Sequence, residues 1–485
     1  MSVVAPSAPA MTVAVIGGGL SGSLFALKFL RQRPDTRLFL IERDARPGLG
    51  LAYGACADYH LLNVPAQRME VGLNPGFQDW LATHADGLSD ALAESGARLG
   101  DAYVPRAMFG AYLRSRLEAT ASFGDSNGIN LVRGEAVRLL DYPARGVQLS
   151  DGRRIEADLI VLATGNLPPR APASRDAWVY DTPQFIDDPW AKGAIETLDA
   201  DEPVLLLGTG LTMVDIVLKL QAAGHRGKML AVSRRGQLPL SHRAGGSWEP
   251  FIDAATHHPP RALARLVRNE AKRAEAAGIP WQRVIDAVRP SIARLWHSWS
   301  AAEREGFLRH LRPYWDVHRH RMAPRVAARF FALIKSGQLR TMAGRIRSYR
   351  REGEELRATI APRRSHDTVT FDARRVVNCT GPRSDLDRIA IPLFSDMLRR
   401  GLIAADQLGL GLETRDCAVV GSAGHTSPWL YALGPLTRPA WWEVTATPEI
   451  NAQIDRLVEE LCAPEHGHGT APLLADAFSD LGAGI

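Results

Sequence analysis

The densest group of chemically capable side chains in this 485-residue sequence is the run Arg309-His310-x-Arg312-Pro-Tyr-Trp315-Asp316-Val-His318-Arg319-His320-Arg321. Guanidiniums offer forked donors to carboxylates, phosphates or planar anions, and imidazoles exchange protons near neutral pH. Histidines at near-helical offsets also suggest a metal site. Asp316 is the one carboxylate in the stretch, however, and the flanking arginines would repel a cation, so no metal is expected. Two uses of the run stay open. Either His318 and His320 exchange protons with an anion that Arg319 and Arg321 bind, or the arginines form salt bridges to another domain while Tyr314 and Trp315 join the core.

A second kind of chemistry is written in glycines. Gly17-x-Gly19-x-x-Gly22 follows the strand-like run Thr12–Ile16 and opens a helical run from Ser23. In that setting Gly17 permits a tight turn, Gly19 lets backbone approach a pyrophosphate, and Gly22 allows helix and strand to pack closely. Glu42, with Arg43 behind it, ends the next strand, where a carboxylate can accept both ribose hydroxyls of an adenosine. The buried strand Asp158–Ala163 then closes on Thr164-Gly165. A second unit follows, Gly208-x-Gly210-x-x-Met213, with Met in the place of the third glycine. Its next strand ends Ser233-Arg234-Arg235 without an acid, which suits a ribose 2′-phosphate and favours NADPH, with NADH left open. Another strand ending, Cys379-Thr380-Gly381, mirrors Thr164-Gly165. Two dinucleotide units in one chain are best explained by a hydride donor working on a flavin, so FAD and NAD(P)H are the expected cofactors.

The elements that must position these residues follow from periodicity and composition. The fold class expected is α/β: a two-dinucleotide-binding, Rossmann-type flavoprotein with a helical insertion. Residues 11–200 read as the first part of an FAD domain and 201–369 as an NAD(P)H domain. The latter carries an Arg/Ala/Trp-rich helical insertion at about 240–335, and 370–462 return to the FAD domain. A helix is expected over 104–120, with Phe109, Tyr112, Leu113 and Leu117 on one face, and another from Thr447, with Thr447 as its cap and Pro448 in its first turn. The Ala/Pro-rich residues 1–10 and the stretch 463–485 read as loosely ordered tails.

Hydrophobic residues are 46% and charged residues 23%, a soluble globular balance, and no apolar run is long enough to span a bilayer. The opening lacks the basic and apolar regions of a secretory signal. Four scattered cysteines form no C-x-x-C pair, which argues against a dithiol centre and for a reducing, cytoplasmic setting. The net charge of +5 comes from 58 basic and 53 acidic residues spread along the chain, so neither nucleic acid nor membrane is an expected partner.

Several further strings are distinctive: Gly50-Leu-Ala-Tyr-Gly54, His60-Leu-Leu-Asn-Val-Pro-Ala66, Val104-Pro-Arg106, Gly208-Thr-Gly-Leu-Thr-Met-Val-Asp215, Tyr314–Arg321 and Leu433-Gly-Pro-Leu-Thr-Arg438. With the two glycine units they make the chain resemble the bacterial FAD-dependent urate hydroxylase and aspartate N-monooxygenase-like family of FAD/NAD(P)-binding proteins, from about Val13 to Gln453. The resemblance implies FAD, NADPH or NADH, and O2. Urate, hydroxylated to 5-hydroxyisourate through a flavin C4a-hydroperoxide, is its first expected substrate. N-hydroxylation of an amine or an amino acid such as aspartate is the alternative, and a reductase or redox sensor a second one. The resemblance also places Asn63 at the flavin ring. One departure stands out: two-dinucleotide flavoproteins commonly hold the flavin ribityl chain with a Gly-Asp, where this sequence has Gly434-Pro435. Backbone amides, Glu443 or Glu449 are then expected to take over.

Overall fold

The computed structural model describes residues 11–84, 88–96, 98–122, 127–386 and 389–463. Both expected tails, 1–10 and 464–485, lie outside the described residues.

Two sheets organise the chain. In the first, six strands run parallel in the order Thr426–Ala432, Leu159–Leu162, Met11–Ile16, Thr36–Glu42, Gly128–Arg133 and Ala121–Ser122. Ala418–Val420 and Thr414–Arg415 extend it antiparallel. Val13, Val15, Ile16, Leu38, Leu40 and Ile41 are buried, as strands covered on both faces require. The helix Leu20–Gln32 crosses from Met11–Ile16 to Thr36–Glu42 and packs with Arg106–Thr120 and Thr447–Cys462 in one core. Phe109, Tyr112, Leu113 and Leu117 are the buried face expected for the middle one.

The second sheet holds Phe185–Ile186, Arg375–Asn378, Val204–Leu207, Met229–Ser233 and Leu339–Glu352 in parallel, then Glu355–Pro362 and Val369–Ala373 antiparallel. This sheet therefore starts before residue 201 and runs past residue 369. The two passages between the sheets pair with each other, Leu167–Pro169 against Pro382–Arg383. Short helices between Pro260 and Arg319 form the insertion around Trp296, Trp299, Phe307 and, from the returning segment, Trp442. The helix Pro324–Lys335, expected within the insertion, instead buries Val326, Ala327, Phe330 and Leu333 in the core of the second sheet. Its apolar face has to cover that sheet, because it is the crossover into Leu339–Glu352.

The helix expected to be capped by Thr447 has Ala446 in that position. The Thr447 hydroxyl lies inside the first turn, 3.0 Å from the Tyr53 hydroxyl, so a tertiary contact has taken the group that would cap.

The two glycine turns repeat one another in backbone. Gly17 (φ +106°) lies against Ala163, and Gly208 (φ +119°) against Cys379; a Cβ would come within 2.4 Å and 2.3 Å of those carbonyl oxygens. Only glycine fits such a contact at positive φ. A Cβ on Gly22 would fall 1.9 Å from the Gly17 oxygen, whereas one on Gly210 would meet nothing within 4 Å. Gly22→Ala is therefore expected to destabilise the first domain by about 1–3 kcal/mol through overpacking and lower the thermal midpoint. Gly210→Ala should leave the midpoint unchanged while its methyl fills the space a pyrophosphate needs, so NADPH binding alone should weaken; calorimetry and NADPH titration separate the two.

Candidate functional site

The first cradle is made by the turn Gly17–Gly19, the start of the helix Leu20–Gln32 and the end of Thr36–Glu42. The helix has no side-chain cap and no acid in its first turn, so its leading N–H groups are available to an anion. Glu42 accepts from the backbone N–H of Gly18 at 2.8 Å and of Asp44 at 3.0 Å, which holds its carboxylate at the cradle's rim. Arg43 beside it is exposed. Across the groove, Gly48 donates to the Gly18 carbonyl, and a Cβ on Gly19 would reach 3.5 Å from Gly50. The buried Thr164 hydroxyl has no hydrogen-bond partner among the described residues, and Gly165 follows at φ +68°. A cradle that a Cβ would fill, an acid at the strand end and an orphaned hydroxyl fit a dinucleotide.

The second cradle repeats this with Gly208, Gly210 and the helix Leu211–Ala222, whose Met213 is fully buried in the place of the third glycine. Gly381, at φ +82°, ends the strand next to Gly208 and so belongs to this cradle, not to the returning part of the first domain. Of the two arginines expected to meet a 2′-phosphate, Arg234 is exposed at the strand end. Arg235 is turned away: its guanidinium donates to the carbonyls of Arg309 and His310 at 2.8 and 3.0 Å and lies over Tyr314. That arginine ties the insertion to the sheet.

Gly434-Pro435 does lie beside the first cradle. Gly434 (φ +76°) abuts Ser21, and Pro435 lines a cleft with Gly165, Asn166, Arg383 and Arg438. The Gly434 N–H is donated to Gln453 Oε1 at 2.8 Å, and the Gln453 amide donates in turn to Thr437. Proline has no N–H, so neither residue of this pair offers a free amide to a flavin. Glu443 and Glu449, the acids expected to take over, each have one oxygen engaged by the insertion. Glu443 accepts from the Trp315 indole at 2.7 Å, and Glu449 accepts from Arg289 at 2.5 Å and Arg319 at 3.0 Å.

These contacts bear on the two uses of the basic run. Arg319 is buried between Glu443 (3.3 Å) and Glu449, and Arg321 is buried on Asp286 at 2.5 Å. Both guanidiniums are held by acids, which supports the second use of the run: Arg319 fastens the insertion to the returning segment. Burial pushes the Glu449 carboxyl up, but Arg289 and Arg319 outweigh it and hold it below the usual range. His318 Nδ1 donates to the Tyr314 carbonyl at 2.7 Å, and the ring packs edge-on to Trp281. Burial holds His320 below the usual histidine range, so it is neutral at pH 7. Trp442 stacks on Trp296 at 4.7 Å, and Trp441 and Trp442 line a small cleft with Arg289, Glu443 and Glu449. Among the described residues no group of His, Cys, Asp and Glu is placed to hold a metal, and no helix is long and apolar enough to cross a membrane.

The sequence reading missed a group on the loop after Asn63. Arg68, half-buried, lies in the fields of Asp286, Arg289, Arg283 and Arg319, and has no ion-pair partner among the described residues. Counting the paired groups around it, five guanidiniums (Arg68, Arg283, Arg289, Arg319, Arg321) meet three carboxylates (Asp286, Glu443, Glu449). His242 lies alongside and donates to the Asn63 carbonyl at 2.7 Å. Burial, with Arg321 close by, pushes its pKa down to about 3. Asn63 thus stands at the edge of a region with excess positive charge.

Residues 14–167 match a family model described as FAD-NAD(P)-binding. L-lysine 6-monooxygenase from Pseudomonas syringae superposes with a TM-score of 0.64 at 17% identity, covering 93% of this chain and 99% of that one. The reduced ornithine hydroxylase from Pseudomonas aeruginosa gives 0.63 at 16%, covering 93% and 98%. A bacillithiol disulfide reductase from Bacillus cereus gives 0.51 at 15%, covering 93% and 99%. No curated protein matches the chain by sequence. The fold is accordingly that of two-dinucleotide-binding flavoproteins, a class that includes monooxygenases and reductases alike. With an FAD-NAD(P)-binding domain at residues 14–167 and a second glycine cradle after Val204–Leu207, the chain is built to hold FAD and NADP(H).

Two outcomes follow. Arg234→Ala should raise the KM for NADPH by about tenfold while leaving that for NADH unchanged, because a charge-assisted phosphate contact is lost; paired titrations of the two nucleotides check this. Stability should fall on acidification. His242 has a folded pKa near 3 against about 6.5 when unfolded, so the unfolded chain takes up its proton first. Its contribution is complete above pH ~6.5 and about 2 kcal/mol is lost by pH ~5. His60, His225, His297 and His320 shift in the same direction. Urea unfolding at several pH values measures the slope, and His242→Gln should flatten it.

Proposed function

We propose that this protein is an FAD-dependent monooxygenase that uses NADPH and O2 to hydroxylate the nitrogen of a small amine carrying a carboxylate, such as aspartate. The observation that carries this reading is the excess of guanidiniums over carboxylates around half-buried, unpaired Arg68, close to Asn63 and the neutral His242. Buried charge without a partner is costly, and a ligand carboxylate would remove the cost. The lysine and ornithine hydroxylases that share the fold act on amino acids, which supports an amino-acid substrate over urate. The arginines first expected to anchor urate are occupied by Glu443, Glu449 and Asp286.

Bound FAD would accept a hydride from NADPH and activate O2, which is the cofactor's chemistry. Gly17–Gly22, Glu42 and Thr164 would hold it, and Gly208, Gly210 and Arg234 the nucleotide. Arg68 would seat the substrate carboxylate. The insertion, closed by the Glu443 and Glu449 ion pairs, would keep bulk water out. The overall balance is amine, O2, NADPH and a proton going to hydroxylamine, NADP+ and water.

The test is NADPH oxidation by the FAD-reconstituted protein with aspartate, ornithine, lysine or urate, with hydroxylamine product and urate absorbance followed in parallel. An amino acid that accelerates oxidation and yields N-oxygenated product in step supports the proposal. Urate loss in step with NADPH would restore the urate reading, and oxidation indifferent to every addition would leave a reductase. Arg68→Ala should raise the KM for the amino acid on the order of 30-fold or more without slowing flavin reduction by NADPH.

A further inference from the structure

Three of the distinctive strings meet at a place the cofactors do not explain. Arg106, at the start of the helix Arg106–Thr120 in the first domain, forks onto Asp215 in the helix of the second cradle. Nη1 reaches Oδ2 at 2.7 Å, Nη2 reaches Oδ1 at 3.1 Å, and Nε donates to the Leu61 carbonyl at 2.9 Å. His60 completes the joint. Its Nδ1 accepts from the Ala57 N–H at 3.1 Å, which leaves Nε2 as the donor to the Asp215 carbonyl, 3.1 Å away. The Arg106 N–H in turn donates to the His60 carbonyl. Both charged side chains are largely out of water, at 15% and 8% exposure. Around them, Leu61, with Tyr59 and Tyr103, packs into the second domain's core beside Met213 and Val214.

A buried ion pair adds little to stability over an apolar contact of the same volume; what it supplies is one allowed geometry. Here the fork grips Asp215 two residues beyond Met213, on the helix whose start forms the second cradle. The helix cannot turn about its axis or slide without breaking two charge-assisted bonds and the His60 bond together. The segment that supplies His60 and Leu61 to the joint continues through Asn63 to Arg68. The latch therefore refers the second cradle to the first domain.

We infer that Arg106, Asp215 and His60 form an interdomain latch whose role is to position the hydride donor against the flavin. They are positioning residues, since none touches a cradle glycine. The inference rests on the proposed use of FAD and NADPH, but not on the substrate assigned above.

The variants are Asp215→Asn and Arg106→Lys, the second keeping the charge and losing the fork. In FAD-loaded protein, anaerobic bleaching of the flavin by NADPH should show a limiting rate lowered about tenfold to a hundredfold, with the half-saturating NADPH concentration nearly unchanged. Arg106→Lys should be the less affected. In protein without cofactors, hydrogen exchange should speed up together over residues 57–66 and 211–222. Folded, FAD-loaded variants with a wild-type limiting rate would overturn the inference, as would exchange that speeds up on one side of the joint only. If NADPH fails to reduce the wild-type flavin, the proposed function falls, and the hydride role of the latch with it. The exchange experiment still reports separately whether the joint exists.

Discussion

Glu449 is buried in the first turn of the helix Thr447–Cys462, with guanidiniums from Arg289 and Arg319 on one of its oxygens. Removing three charges from water costs several kcal/mol each before their attraction offsets it, and losing one partner would strand the others. The insertion is therefore either docked in full on the returning segment or not docked. Trp315 on Glu443 and the Trp296 indole on the Pro439 carbonyl add directional contacts to the same seam. Closing that seam brings Arg283, Arg289, Arg319 and Arg321 up to the loop that carries Asn63 and Arg68. The excess of positive charge around Arg68 is thus a product of docking.

The two cradles share a backbone and differ in what stands behind it. Gly22 is compelled by a carbonyl within bonding distance of any side chain, so helix and strand of the first unit touch. At the equivalent place in the second unit Met213 is fully buried, and its helix gains thereby a side chain that reaches the core shared with Leu61. Close packing in one unit gives a rigid seat, while the buried Met213 of the other shares its core with Leu61 reaching in from the first domain.

What could be read from sequence was what local geometry dictates. Gly17, Gly19, Gly22 and Glu42 fall within 26 residues and obey one turn-and-helix rule, and the alternation of β-branched runs with helices gave the α/β class. The run from Arg309 to Arg321 was visible as charge but ambiguous as function, because the partners of Arg319 lie about 130 residues away. Arg106 and Asp215 are separated by 109 positions, and neither string hints at the other. Thr447 looked like a cap because its type and its Pro neighbour fit, while the Tyr53 hydroxyl that occupies it comes from 394 residues upstream. Arg68 carried no signal, since an unpaired cation is defined only by what fails to surround it.

The first sheet has a consequence for how the chain is made. Its central strand, Leu159–Leu162, is flanked on one side by Met11–Ile16 and on the other by Thr426–Ala432. On a ribosome the leading strands therefore emerge long before the neighbour that shields their open edge. The second sheet, which lies wholly between residues 185 and 378, has all its strands available first. Domains fold as units while synthesis proceeds, so the middle of this protein can be finished while its beginning still waits for its end. During that interval the edge of Leu159–Leu162 is an unpaired, apolar template, and protecting it falls to chaperones or to the speed of translation.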